Sequence, residues 1–161
     1  MIRKCQEKDA MRIYYIINEA ARAYDGIIPA DCYHQPYMPK EELENEMKRV
    51  TFYGWETDGE IVGVMGIEPI KDVTLIRHAY VLPEYQNRGI GNKLMKHLKS
   101  LTTTPLLLVG MWADAHWAIA FYRKHGFNLL SDKDKLLAEY WDIPPRQIET
   151  SVVMRLETNN N

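Results

Sequence analysis

Tyr80-Val81-Leu82-Pro83-Glu84-Tyr85-Gln86-Asn87-Arg88-Gly89-Ile90-Gly91 is the stretch from which the rest of the chain is read. A strand-like run ends at Leu82 and a polar turn follows. Two glycines then lead into Ile90, Leu94, Met95, Leu98 and Leu101, spaced as one face of a helix. A strand–turn–helix junction aims several backbone N–H groups at one spot. The helix dipole adds about half a positive charge there, which suits a phosphate. Glycine serves where a Cβ would block a ligand or restrict the backbone. Two other phosphate loops do not fit: Leu94 stands where G-x-G-x-x-G needs its third glycine, and G-x-x-x-x-G-K-[ST] is absent. What remains is Gln86-x-x-Gly89-x-Gly91, a pattern that a purely structural turn into a helix also satisfies.

Charge favours the ligand-binding reading. From Tyr85 to Ala113 the chain has 29 residues without one Asp or Glu, and it carries Arg88, Lys93, Lys96 and Lys99. The overall acid content would place about four acids there, and their absence suits a polyanion. The whole chain of 161 residues has 20 Lys+Arg, 22 Asp+Glu and a formal net charge of −2. That balance argues against nucleic-acid binding. Apolar residues at 46% and charged residues at 26% indicate an ordinary globular protein rather than a disordered, collagen-like or coiled-coil chain. No apolar run approaches the ~20 residues of a membrane span, so no membrane partner is expected. The segment MIRKCQEKDA lacks a signal-peptide apolar core. Two cysteines, Cys5 and Cys32, are too few for a disulfide framework, and a reduced cytoplasmic protein is expected. Cys32-x-His34 has no second ligand pair, so no metal is expected.

Working outward, Ile2–Cys5 reads as a first strand. Asp9 caps a helix carrying Ile13, Ile16, Ile17, Ala20 and Tyr24, and Gly26 stops it. Pro39 opens a second helix. Its Glu41, Glu42, Glu44 and Glu46 precede Lys48 and Arg49, the order the helix dipole favours, and the run reads as a solvated face. Thr51–Thr57, Glu60–Glu68 and Val73–Leu82 are three strands of an antiparallel meander, with Asp58-Gly59 as a hairpin turn. Pro105–Met111 is a fifth strand. His116–His125 is a helix closed by Gly126, and Phe127–Leu130 is a short strand. Ser131 with Asp134 resembles a capping box for a helix near Asp132–Trp141, which Pro144-Pro145 ends. A last strand alternates Ile148, Thr150, Val152, Met154 and Leu156. The sum is an α/β (α+β) domain with a mixed, mostly antiparallel sheet flanked by helices. Residues 1–157 form one domain in this reading, and 158–161 a disordered tail.

Three motifs now stand in order: Val81-x-Pro83, Gln86-x-x-Gly89-x-Gly91, and Phe121-Tyr122-x-Lys124-x-Gly126-Phe127. In sequence and spacing they resemble the signature of the GNAT superfamily of N-acetyltransferases. The resemblance covers roughly residues 1–127. It implies acetyl-CoA as co-substrate and a sheet whose fourth and fifth strands splay to admit the pantetheine arm. The arm would pair with the backbone of Ala79, Tyr80, Val81 and Leu82. The pyrophosphate would rest on Gln86, Asn87, Arg88, Gly89, Ile90, Gly91 and Asn92, and Trp117, Phe121 and Tyr122 would also face the cofactor. Tyr122 matches the family's acid, which protonates the departing thiolate; a phenol near pKa 10 is protonated where a thiol near 8.5 must leave. One departure is Ala115, where many members carry an Asn that contacts the cofactor. The segment 131–146 is an insertion relative to a plain hairpin.

Attack by an amine requires a proton acceptor. The family uses a Glu or His on the fourth strand, or a water relay. Here the residues on offer are His78 on that strand and Glu68 on the one before. His78 alternates with Arg77, so only one of the two is expected to face the ligand. Acceptor specificity is expected from the aromatic, acidic stretch holding Tyr24, Asp25, Asp31, Tyr33 and His34, with Asp25 and Asp31 suited to a cationic amine. Tyr140, Trp141 and Arg146 are further candidates. The implied function is acetyl transfer to the primary amine of a small molecule or peptide. The alternatives are a non-catalytic acyl-CoA-binding or sensing domain, and a transferase for protein N-termini or lysines. A homodimer is compatible with this reading.

Overall fold

A computed structural model describes residues 1–158. Of the expected tail, residues 159–161 lie outside the described residues. Thr158 is held: its N–H donates to Pro105 O at 2.9 Å and its hydroxyl to Thr104 O.

Among the described residues seven strands form a mixed sheet in the order β1-β2-β3-β4-β5-β7-β6, with β4 and β5 parallel and helices flanking it. The strands are β1 (Ile2–Lys4), β2 (Thr51–Thr57), β3 (Glu60–Ile70), β4 (Val73–Val81), β5 (Leu106–Trp112), β6 (Asn128–Leu129) and β7 (Ser151–Glu157). The α-helices are α1 (Ala10–Ala20), α2 (Lys40–Glu46), α3 (Ile90–Leu101), α4 (His116–Lys124), α5 (Lys133–Tyr140) and α6 (Pro145–Glu149). Among the described residues no helix is long and apolar enough to cross a membrane. The chain divides into two compact units, and β4 contributes to both.

The first unit comprises Met1–Ala23, His34–Glu68 and Ile76–Leu101. β1 pairs antiparallel with β2, and β2 with β3. Asp58 and Gly59, at φ 51° and 80°, make the β2–β3 turn with two left-handed residues, the geometry that matches strand twist. β3 is buried from Ile61 to Glu68. A Cβ on Gly63 would meet Ile90 Cγ2 at 3.0 Å, so this glycine lets the first turn of α3 lie on the strand. Ile13, Ile16, Ile17 and Ala20 of α1, and Leu94, Met95 and Leu98 of α3, are buried as their 3.6-residue spacing predicts. Each large one contributes roughly 1.5–3 kcal/mol of burial.

The second unit comprises Tyr24–Tyr33, Pro69–Leu75 and Thr102 onward. β5 pairs antiparallel with β7, and β7 with β6. Val73, Leu75, Leu108, Leu137 and Val153 form its core, against which Trp141, Ile143 and Ile148 pack. Gly126, at φ 95°, follows α4 as the left-handed residue past a helix end, as expected.

Four local expectations are corrected. Asp9 sits at the N-cap of α1 without a side-chain capping bond. Its carboxylate instead accepts from Arg3 Nη1 and Nη2 at 3.0 Å each and from Gln6 N–H at 2.7 Å, because a guanidinium on β1 offers charge-assisted bonds. The N-cap of α5 is Asp132, not Ser131. Pro144-Pro145 opens α6, since Pro145 at the first helical position has no N–H to leave unpaired. Ile148 therefore lies in a helix and Thr150 at its cap, and β7 starts at Ser151. Finally, the acidic face of α2 is not wholly solvated, because Glu46 is buried.

Candidate active site

In the first unit, β4 runs into the glycine loop. Leu82 is buried, and its N–H donates to Val62 O at 2.9 Å. Gln86 is exposed and returns its side-chain amide to Val81 O at 3.0 Å, closing the turn. Asn87 at φ 63° and Gly89 at φ 81° are both left-handed. Asparagine tolerates that region and glycine adopts it freely. The first-turn N–H groups of α3, from Ile90 and Gly91, belong to the set that no helix satisfies internally. Ile90's side chain is core. Asn87 and Arg88 are exposed, and Arg88 lies over the Tyr85 ring at 5.1 Å. Lys93 caps the Trp55 ring at 4.6 Å. A cradle of left-handed turn residues and helix amides, on a segment without acids, fits a pyrophosphate.

His78 and Glu68 lie in one cluster of charges. Arg77 Nη1 donates to Glu68 Oε1 at 2.9 Å and its Nη2 to Glu46 Oε1 at 3.0 Å. Arg49 Nη2 lies 2.6 Å from Glu46 Oε2, and its Nε 3.5 Å from Glu68 Oε2. His78 Nε2 lies 3.4 Å from Glu46 Oε1, and the imidazole stacks on Phe52 at 5.9 Å. Strict alternation along β4 would send Arg77 and His78 to opposite sides. It fails because His78 has φ 54°, a left-handed residue within a strand. Both side chains therefore reach Glu46. Burial depresses the His78 pKa, Arg77 adds to this, and Glu46 opposes it, so the imidazole is neutral at pH 7. Burial works against ionised Glu46, but His78, Arg77 and Arg49 outweigh it and hold its pKa below the usual range.

In the second unit, α4 presents Trp117, Phe121 and Tyr122. Trp117 is 48% exposed and stacks with Tyr24 at 6.0 Å. Tyr122 is buried edge-on between Phe121 at 5.1 Å and Phe127 at 5.4 Å. Burial, with neighbouring Tyr24, raises its phenol far above the ordinary value, so it stays protonated. Tyr24 thus joins two residues named for the cofactor. Asp31 is committed to Arg146, which donates from Nε at 2.9 Å and Nη2 at 3.2 Å. Asp25 is exposed and Tyr33 half-buried. His34 belongs to the first unit, where it stacks on Tyr37 at 6.4 Å and its Nδ1 lies 2.8 Å from Pro36 O. The inserted segment is anchored: Tyr140 donates to Asp72 Oδ1 at 2.9 Å, and a Cβ on Gly110 would meet the Trp141 ring at 3.3 Å. Among the described residues no group of three His, Cys, Asp or Glu is placed to hold a metal.

Sequence reasoning singled out His78 and Glu68 but missed Glu46, Arg77 and Arg49 as their partners. Only the acidic run of α2 hinted at Glu46.

Comparison with known proteins matches residues 48–129 to the family model "Acetyltransferase (GNAT) domain". An uncharacterized N-acetyltransferase of Bacillus subtilis, YjcF, is 30% identical over 97 residues. That match spans 60% of this chain and 66% of YjcF, just under two thirds of the relative's length. Among solved structures, the PaiA N-acetyltransferase of Thermoplasma acidophilum in complex with coenzyme A superposes with a TM-score of 0.75 at 19% identity, covering 98% of each chain. The ribosomal-protein-S18-alanine N-acetyltransferase of Escherichia coli gives 0.70 at 17% identity, covering 100% of this chain and 95% of its own.

Proposed function

The chain belongs to the GNAT family of acetyltransferases, and we propose that it transfers an acetyl group from acetyl-CoA to the primary amine of a small molecule or peptide. The observation that carries this reading is the loop before α3. It combines left-handed Asn87 and Gly89, the first amides of α3 and a run of 29 residues without an acid. Gln86 to Asn92 would hold the pyrophosphate, and Ala79, Tyr80 and Val81 the pantetheine arm. The N–H of Leu82 is spent on Val62, so its part is to fix the strand end. When bound, the co-substrate supplies an acyl group activated as a thioester.

Tyr122 would give its phenolic proton to the departing thiolate, a role its raised pKa keeps available throughout the neutral range. His78 would accept the proton that an acceptor ammonium must lose before its nitrogen attacks. Glu68 is already engaged, since both its oxygens face guanidinium groups. Trp117, Phe121 and Tyr24 would line the ligand with aromatic surface. Asp25 and Tyr33 would contact the acceptor, while Asp31 would act there only after parting from Arg146. That exposed pair is held weakly enough to exchange in solution.

Calorimetry with acetyl-CoA, followed by thiol release across a panel of amines, tests the proposal. Binding with turnover supports it. Binding without turnover on any amine, small or peptide, favours an acyl-CoA-sensing domain. Absence of binding removes both.

A further inference from the structure

Glu46 has no place in the motifs that identified the family, yet it is the hub of the buried charges. The groups facing His78 are Glu46 and Glu42 of α2, Arg77 of its own strand and the Phe52 ring of β2; Arg49 and Glu68 close the network around Glu46 and Arg77. His78 Nε2 is buried without a well-aligned hydrogen bond, and the nearest acceptor is Glu46 Oε1 at 3.4 Å. The His78 side chain as a whole is 14% exposed, so its accessible part lies away from Nε2.

A neutral imidazole carries its proton on one nitrogen and a lone pair on the other, and the partner of one decides the role of the second. Glu46 is ionised, held by Arg77 and Arg49. A lone pair on Nε2 would face carboxylate lone pairs across 3.4 Å, which is repulsive. A proton on Nε2 would face them attractively. We propose that Glu46 is a positioning residue, which fixes His78 with Nε2–H toward its own Oε1 and leaves Nδ1 as the nitrogen that takes the acceptor's proton. In that step R–NH3⁺ loses a proton to the Nδ1 lone pair, giving R–NH2 and an imidazolium whose charge Glu46 balances. Imidazolium releases the proton to solvent after transfer. The assignment of proton acceptance rests on the acetyltransferase reading, whereas the orientation of the ring does not.

Two measurements test it. Nitrogen-15 NMR of the wild-type protein, with the His78 signals identified by their loss in H78N, distinguishes the protonated ring nitrogen from the lone-pair nitrogen. Nε2–H at neutral pH is expected, and Nδ1–H overturns the proposal whatever the enzyme does. Second, E46Q keeps an acceptor for Nε2–H but removes the charge that raises the His78 pKa. With the best amine from the panel, the acid limb of kcat/KM should move to lower pH, and the plateau should fall about 10- to 100-fold, less than the roughly 10²- to 10⁴-fold of losing a positioned proton acceptor outright, because His78 itself remains. KM for acetyl-CoA should not change. An unshifted acid limb overturns the proposal. A wild-type protein that does not bind acetyl-CoA removes the acetyltransferase reading instead, and the NMR result still decides the ring. If E46Q does not fold, the wild-type spectrum decides alone.

Discussion

Gln86 donates its side-chain amide to the carbonyl of Val81 at 3.0 Å, so the residue that introduces the loop before α3 is itself a strut of it. The bond ties the loop to the end of β4 and fixes the direction in which the amides of residues 87–91 point. Gln86→Ala should raise the Kd for acetyl-CoA about 5- to 13-fold, in line with loss of one net hydrogen bond of about 1–1.5 kcal/mol. Calorimetry gives the Kd, and a melting temperature unchanged within a few degrees would place the loss in the loop rather than the fold.

Gly89 separates strain from occlusion. Its φ is 81°, and nothing stands within 4 Å of where a Cβ would be. Gly89→Ala should therefore cost about 1–2 kcal/mol of stability from the left-handed backbone alone, seen as a drop of about 2–8 °C in Tm. Gly89→Glu should add a negative charge beside the bound pyrophosphate and weaken acetyl-CoA binding by more than tenfold beyond the alanine variant. Equal binding by the two variants would remove the pyrophosphate from this loop.

Tyr122→Phe keeps the ring contacts with Phe121 and Phe127 and removes only the phenolic proton. The kcat should fall about 10²- to 10⁴-fold with little change in the Kd for acetyl-CoA. Steady-state kinetics on the best acceptor measure this, and an unchanged kcat assigns thiolate protonation elsewhere.

Asp9 makes stability depend on pH. Its pKa is held below the ordinary carboxylate value, first by its bonds to Arg3 and then by the Gln6 N–H. A group depressed in the folded state contributes above its unfolded pKa of about 3.9, and that contribution is lost as pH falls through the folded value. Urea midpoints should thus fall from pH 5 toward pH 2. Arg3→Met should be less stable at pH 6 and lose less over the same acid range. Parallel curves for the two proteins would locate the acid sensitivity in Glu46 or another carboxylate.

Local signals made much of the fold legible. Asp58-Gly59 announced a hairpin because few other residues occupy two left-handed positions in succession. Gly126 ended α4 for the same reason. The glycine loop was legible because its turn needs left-handed backbone at Asn87 and Gly89, and backbone demands leave asparagine and glycine in the sequence. The charge cluster was not, since an acidic helix reads as solvated until the arginine that covers it is known. Arg77 is 31 residues from Glu46 along the chain. The Asp31–Arg146 pair, separated by 115 residues, was invisible for the same reason. The orientation of His78 escaped because the two-residue period of a strand assumes extended backbone at every position, and φ at 78 is not extended.

That left-handed φ narrows what mutation can explore at position 78. Glycine, asparagine, aspartate and histidine occupy such a backbone most readily, and of these histidine alone pairs a neutral form near pH 7 with a proton-accepting nitrogen. A replacement by glutamate, lysine or tyrosine would carry a backbone cost of about 1–2 kcal/mol before its chemistry could be tried. Variants that survive a random library at this site should therefore cluster among short polar residues and glycine, sorted by conformation first and by reactivity afterwards.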